Sequence, residues 1–456
     1  MKSIKAKQFL SKLRKMAVVA VAIIFASTVV YAQDEASEQK SFPAQVSIWY
    51  PIGTHGQESV SHTYNFSLNL FYGKIGGLNG LEISGLKSHA QENVRGVQIS
   101  GLVNRATDLT GVQIAGLFNL NHLGDMNGAQ IAWFVNEAAD VTGIQIGFVG
   151  SFAQSLSGVQ IGGVNMSLNG AVNGTQVGGL NYSSKEMKGV QIGAFGNFSG
   201  YRMNGVQVGG ILNYAEIVNG AQIGGLLNLS EVSVSGVQIA GLVNYSSYVK
   251  GVQIGGLVNY SHIANGLQIG MFNRTVALRG LQIGLISIND TIESGGSLSL
   301  VNIVRRGFYR SWEVSVADYS NLAVTYRMGT RTLYTIYTVG ANFIEDNLWN
   351  IGIGFGHRRA INTNLDFRPE IVTYNYYTMD FRNIQPTFSH HLKFGFVYNA
   401  SENFGISLAP SVFVMNSLRN SDMEHYRVSP IAPFHTRERN NWQTAFGVGV
   451  SLGVVF

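Results

Sequence analysis

The residues that could do chemistry in this chain are few and dispersed. Glycoside cleavage needs carboxylates that converge on one bond. Here Asp108, Asp125, Glu137, Asp140, Glu186, Glu216 and Glu231 fall in different copies of a repeated phrase, mostly in polar turns, and read as solvated turn residues. His390 and His391 are two potential metal ligands. On a strand, however, adjacent side chains face opposite sides of the sheet, so no joint metal site is expected. Asp366, Arg368, Glu370 and Lys393 occupy one face of two predicted strands. They read as a charge network packing a narrow barrel lumen, with a polar conduction path as the other reading. GxSxG, HExxH, P-loop and GGxGxD phrases do not occur. The expectation is a non-enzyme, with no catalytic residue, cofactor or metal.

A different chemistry is offered by aromatics that recur one place after an Asn: Tyr182, Phe198, Tyr214, Tyr245 and Tyr260. Facing outward, they would form a stripe. It could stack on glycans, or the rings could stack on one another and stiffen the array.

These side chains must be positioned by a repeat. The phrase, clearest as GVQIGGLVNY at Gly251–Tyr260, has lead glycines at 80, 96, 111, 128, 143, 158, 174, 189, 205, 220, 236, 251, 266 and 280, spaced by 14 to 17 residues. Fixed-period similarity means a repeat architecture. We read each copy as one coil of a β-solenoid over 77–292. The Val and Ile beside each Gln are expected to point inward, and the Gln outward. Inner glycines would permit a thin cross-section. Asn104, Asn119, Asn136, Asn181, Asn197, Asn213, Asn228, Asn244 and Asn259 suit corners, or a stacked amide ladder. The alternative is that each copy is one strand of an antiparallel meander or a very large barrel.

Flanking segments have period two. Val46, Ile48, Tyr50 and Ile52 alternate with Gln45, Ser47 and Trp49, and Tyr64, Phe66, Leu68, Leu70 and Tyr72 alternate with Asn65, Ser67 and Asn69. These suggest that 33–76 holds a linker and the first two barrel strands. In 293–456 eight further strands are predicted. The last carries Trp442, Phe446, Val448, Val450, Leu452, Val454 and Phe456 on one face, with small or polar residues on the other. Apolar-out alternation over about ten residues is the transmembrane β-strand pattern. The terminal Phe456 resembles the signal by which outer-membrane barrels are recognised for assembly.

Residues 1–32 read as a secretory signal peptide: six basic residues, an apolar Met16–Ala26 and a Val30-Tyr31-Ala32 cleavage site. Of 31 basic and 26 acidic residues, removal of the signal leaves 25 and 26, a net charge of −1. The basic isoelectric point belongs to the signal, and nucleic-acid binding is not expected. There is no cysteine, hence no disulfide or thiolate metal site.

The stretch GVQIAGLVNYSSYVKGVQIGGLVNYSHIANGLQIG, Gly236–Gly270, resembles a family of surface-repeat proteins found mainly in Bacteroides-like bacteria and some spirochaetes. The opening Val46-Ser47-Ile48 and Pro51-Ile52-Gly53-Thr54 resembles that family's start. The resemblance implies an envelope location and transfers no catalytic residue. The combined expectation is an all-β protein: a β-solenoid inserted in an outer-membrane antiparallel barrel of about ten strands. Its expected role is structural or adhesin-like, in the outer membrane of a Gram-negative cell. Expected partners are membrane lipid, the barrel assembly machinery, and a glycan or another envelope protein. The alternative is a channel in which the repeats supply barrel strands.

Overall fold

The computed structural model describes residues 40–121, 124–343, 348–378, 387–401, 403–418, 434–439 and 442–456. Residues 1–32, expected to be a signal peptide, and residues 33–39 lie outside them. The fold is all-β, a parallel solenoid of about 15 coils followed by an antiparallel sheet.

Each coil pairs in parallel with the next, residue for residue. Gly236–Ile239 lies on Gly251–Ile254, which lies on Gly266–Ile269. The repeats therefore do not supply strands to a wide antiparallel barrel. The lead glycines are required by their backbone. Gly251 has φ of 136°, a region L side chains avoid. A Cβ there would also sit 2.0 Å from the carbonyl oxygen of Gly236, one coil away.

The facing of the coil is the reverse of the sequence expectation. Gln253 is 0% exposed and Ile254 is 36% exposed, and the same inversion holds along the array. The cause is hydrogen bonding between coils. Each Gln Nε2 donates to Oε1 of the Gln one coil earlier, in twelve consecutive bonds of 2.6–2.9 Å from Gln282 back to Gln98. A second ladder uses the Asn residues and runs the other way. Asn181 Nδ2 donates to Asn197 Oδ1 at 2.8 Å, and this sense continues through Asn213, Asn228, Asn244 and Asn259 to Asn273. These Asn lie within strands, so the ladder reading holds for them rather than the corner reading. Two ladders of opposite sense let the amide dipoles of one offset those of the other. Small apolar residues such as Val218, Val234, Val249 and Ala264 fill the rest of the core.

The ladders also explain an exception. In the first copy Glu82 stands where Gln stands later. Gln98 Nε2 donates to its Oε2 at 2.9 Å, and Asn69 Nδ2 donates to its Oε1 at 3.0 Å. Two donor chains converge there, and a carboxylate accepts on both oxygens whereas an amide cannot.

The strands within 40–76 belong to the solenoid. Lys40–Trp49 pairs in parallel with His62–Ile75, which pairs in parallel with Gly77–Ser84. The reason is register: Val46, Leu68 and Ile83 continue the outward Ile column. At the other end Ser297 Oγ and Asn289 Nδ2 donate to Gln282 Oε1, so the ladder is capped beyond residue 292.

The antiparallel sheet contains the eight strands predicted for 293–456. They are Tyr309–Ala317, Ser320–Gly329, Leu333–Asn342, Leu348–His357, Leu365–Thr378, Phe388–Ser401, Phe404–Leu418 and Trp442–Val455. Each pairs with the next in that order. Glu313–Ala317 then pairs with Ser451–Val455, and the sheet closes on itself. Among the described residues the ring has eight strands rather than about ten. It follows the solenoid instead of containing it.

Candidate functional site

Three places were candidates in the sequence: the inward charges of the antiparallel sheet, the aromatic stripe and the acids of the array.

Inside the ring, Asp366, Arg368, Glu370 and Lys393 are all buried, on the inward face as expected. The centre of the network, though, is Arg327, which spacing did not single out. Its Nε and Nη2 donate to Glu370 Oε1 and Oε2 at 2.7 and 3.1 Å. Its Nη1 lies 2.7 Å from Glu313 Oε2, as an ion pair. Tyr334 donates its hydroxyl to Glu370 at 2.8 Å, and Ser407 donates to Glu313 at 2.8 Å. Lys393 Nζ donates to the Tyr319 hydroxyl at 2.9 Å. Asp366 is set apart, 2.8 Å from Arg358, and accepts from Asn399. Charges with this many partners are held rigidly, which suits packing rather than proton transfer. The signal for Arg327 was present: Ala323, Thr325, Arg327 and Gly329 alternate as an inward face. That its partners would be Glu313 and Glu370 depends on three strands meeting across the interior.

His391 is buried and His390 exposed, as alternation requires. His391 Nε2 shares a hydrogen bond of 2.8 Å with Ser389, and the ring packs among Tyr319, Tyr374 and Phe413. Among the described residues no group of three His, Asp or Glu is placed to hold a metal ion.

The aromatic stripe is a single column. Tyr182, Phe198, Tyr214, Tyr245 and Tyr260 stand on successive or near-successive coils, interrupted once by Leu229. All five are half-buried. Tyr245 and Tyr260 stack in parallel, with centroids 5.3 Å apart. Towards the start of the solenoid the same column turns basic, with Lys74, His89 and Arg105 in register. Burial and these neighbouring cations push the His89 imidazole down to about 3. The array acids are less dispersed than their positions suggested. Asp108 Oδ1 accepts from the backbone N–H of Asp125 at 2.9 Å, and Asp125 Oδ1 from that of Asp140 at 3.3 Å. They cap the corners of consecutive coils, which is a structural use.

A fourth feature went unnoticed in the sequence because it was expected to lie inside. The outward Ile column runs in register from Val46 and Leu68 through Ile114, Ile161 and Ile223 to Ile283. A second outward column follows at the Gly-Gly corner, including Leu86, Leu102, Ile211, Leu226, Leu242 and Leu257. Trp133, Phe148 and Phe195 protrude furthest there, at 61%, 67% and 61% exposed. Neither column contains a charged residue.

Among the described residues this arrangement offers surfaces for packing and contact. No protein-family model, curated protein or solved structure matches this chain.

Proposed function

We propose that the protein is a non-enzymatic repeat protein of the cell outer membrane, in which the closed sheet spans the bilayer and anchors a solenoid with a structural or binding role. The carrying observation is the inversion of the ring. Its outward residues, among them Ile353, Phe355, Phe394, Leu408 and Val450, are apolar and exposed, while its inward residues include a buried Arg–Glu–Lys network. Water cannot favour that arrangement, and lipid does. An eight-stranded ring is just wide enough for its interior to be filled by side chains, so it acts as an anchor and not as a conduit. Among the described residues no helix is long and apolar enough to cross a membrane, so crossing would fall to strands. Phe456 exchanges backbone hydrogen bonds of 2.8 and 3.0 Å with Trp312, at the seam where first and last strands meet. It is suited to be the assembly signal, with the barrel assembly machinery as its partner. The resemblance to surface-repeat proteins supports the envelope location. The aromatic column from Tyr182 to Tyr260 is the candidate contact surface for a glycan or another envelope protein.

The test is fractionation together with heat-modifiable gel migration of the full chain, and planar-bilayer recording. The expected result is membrane-bound, heat-modifiable protein with no steady conductance. Full-length protein in a soluble fraction without detergent would overturn the anchor, and stable single-channel currents would restore the channel.

A further inference from the structure

The solenoid has the same inversion as the ring, but only along part of its perimeter. Its Ile column and its Gly-Gly-corner column together form an apolar edge, free of charge over the whole array. At about 4.8 Å per coil this edge is on the order of 60 Å long. A strip of that length, two residues wide, exceeds the few hundred Å² of contiguous apolar surface that monomers ordinarily expose. Half a coil away the turns carry Lys185, Glu186, Glu216, Glu231 and His262. The rod is therefore amphipathic across its width.

We propose that this edge is embedded in the lipid of the same membrane that holds the ring, so that the rod lies along the bilayer instead of projecting from it. The inference rests on the anchor reading above. Three observations select lipid over a second copy of the chain. First, the rod joins the ring without a tether. The last solenoid segment, Phe272–Arg306, lies against the outer wall of the ring, where Asn302 Nδ2 donates to Thr335 Oγ1 at 2.8 Å and Thr335 Oγ1 donates to the Ser299 carbonyl at 2.6 Å. A rod fixed to the wall of a membrane ring begins at the bilayer. Second, the edge is uneven. Trp133 and Phe148 stack with centroids 4.9 Å apart and stand out from the aliphatic columns. Such a bulge disrupts a flat rod-to-rod seam, whereas fluid lipid accommodates it and Trp favours the interface. Third, the interior tolerates a low-dielectric exterior, because the backbone groups of each coil are paired with the next coil and the polar side chains within are largely paired with one another.

The chain has no cysteine, so single reporters can be introduced cleanly. Full chain carrying Leu257→Cys, Phe394→Cys or His262→Cys would be labelled with an environment-sensitive fluorophore. Each would be reconstituted in phosphatidylcholine vesicles with either a nitroxide on the acyl chain or iodide in the water. Leu242→Cys serves as a second edge position should Leu257→Cys fail to assemble. The expected result is that the edge probes and the Phe394 probe lose most of their emission to the lipid nitroxide and little to iodide, with the reverse at His262. A Phe394 probe quenched from lipid beside an edge probe quenched by iodide would overturn the inference and leave the anchor standing. An edge probe shielded from both quenchers would mean that a second copy covers the edge, and would also overturn it. Iodide reaching the Phe394 probe would remove the anchor itself, and the inference with it.

Discussion

The solenoid and the closed sheet both put polar groups inside and apolar groups outside, yet they satisfy those groups in opposite ways. Beside an apolar column that includes Leu109, Met126 and Val234, the polar groups of the solenoid interior are neutral amides, whereas those of the ring interior include charges. Translation explains the difference. In the solenoid each inward side chain stacks on its own equivalent, so it must be complementary to itself. An amide is, since it donates and accepts; a column of carboxylates or guanidiniums would repel. In the ring no position repeats, and Arg327 can face Glu313 and Glu370 from other strands. The one buried carboxylate of the ladder, Glu82, stands where translation ends and two donor chains meet. Polar interiors thus follow the symmetry of their backbone.

The largest effect that would test this contrast is in the ring. Arg327→Leu leaves Glu313 and Glu370 without their cation, and loss of one partner from a buried charge cluster costs about 3–5 kcal/mol. The variant should lose its heat-modifiable form at a clearly lower temperature. Replacing all three charges by Leu, Gln and Gln should recover much of the loss. A single substitution as mild as those in the solenoid would erase the distinction between the two interiors.

Next comes the ladder. Gln253→Met keeps the side-chain length but leaves Gln238 Oε1 without its donor and removes an acceptor from Gln268 Nε2. At roughly 1–3 kcal/mol for each orphaned group, about 2–4 kcal/mol should be lost from the denaturant midpoint in detergent. Ile254→Ala, at the neighbouring exposed position, should cost less than about 1 kcal/mol in the same assay. Greater loss at Ile254 would restore the facing first read from the sequence.

A gain should come from Ser151→Asn. Ser151 interrupts the Asn ladder between Asn136 and Asn165. Asn136 Nδ2 and Asn165 Oδ1 are left buried without partners on either side of it. An Asn there would accept from the first and donate to the second, adding roughly 1–2 kcal/mol. No gain in melting temperature would mean the gap is already filled, for example by a bound water.

The smallest effect concerns pH. Burial raises the Glu82 carboxyl above its ordinary 4.5. Only between 4.5 and that raised value does the folded state hold a proton that the unfolded chain has released. This contribution is fully present below about 4.5 and is lost as pH rises through the raised value. Glu82→Gln should flatten the decline in solenoid stability from acid towards neutral pH, measured by denaturant titration at a series of pH values. An unchanged slope would place its origin elsewhere.

Much of the architecture was legible as periodicity. The lead glycines marked the coils from Gly80 to Gly280, because a carbonyl about 2.0 Å from any Cβ, together with positive φ from Gly96 to Gly266, admits only glycine. The eight strands of the ring were legible because alternation such as Val448, Val450 and Leu452 against Gly447, Gly449 and Ser451 records two environments. The aromatic column was visible from spacing alone, and its basic start was not, because Lys74 precedes the first lead glycine, His89 follows a Ser instead of an Asn, and Arg105, which does follow Asn104, is not aromatic. Arg327 escaped because its partners lie 14 and 43 positions away.

What the sequence determined by itself is the period, the strand positions and which residues share a face. Which face is inside was decided only by the tertiary structure. Alternation defines two faces without ordering them. The usual rule, apolar inside, assumes water outside and polar groups with no better partner than water. Here every Gln meets another Gln one coil away, in register, and that partner exists only once the coils are stacked. The closure of the sheet through Glu313–Ala317 and Ser451–Val455 was settled in the same way, by residues brought together from opposite ends of a 150-residue stretch.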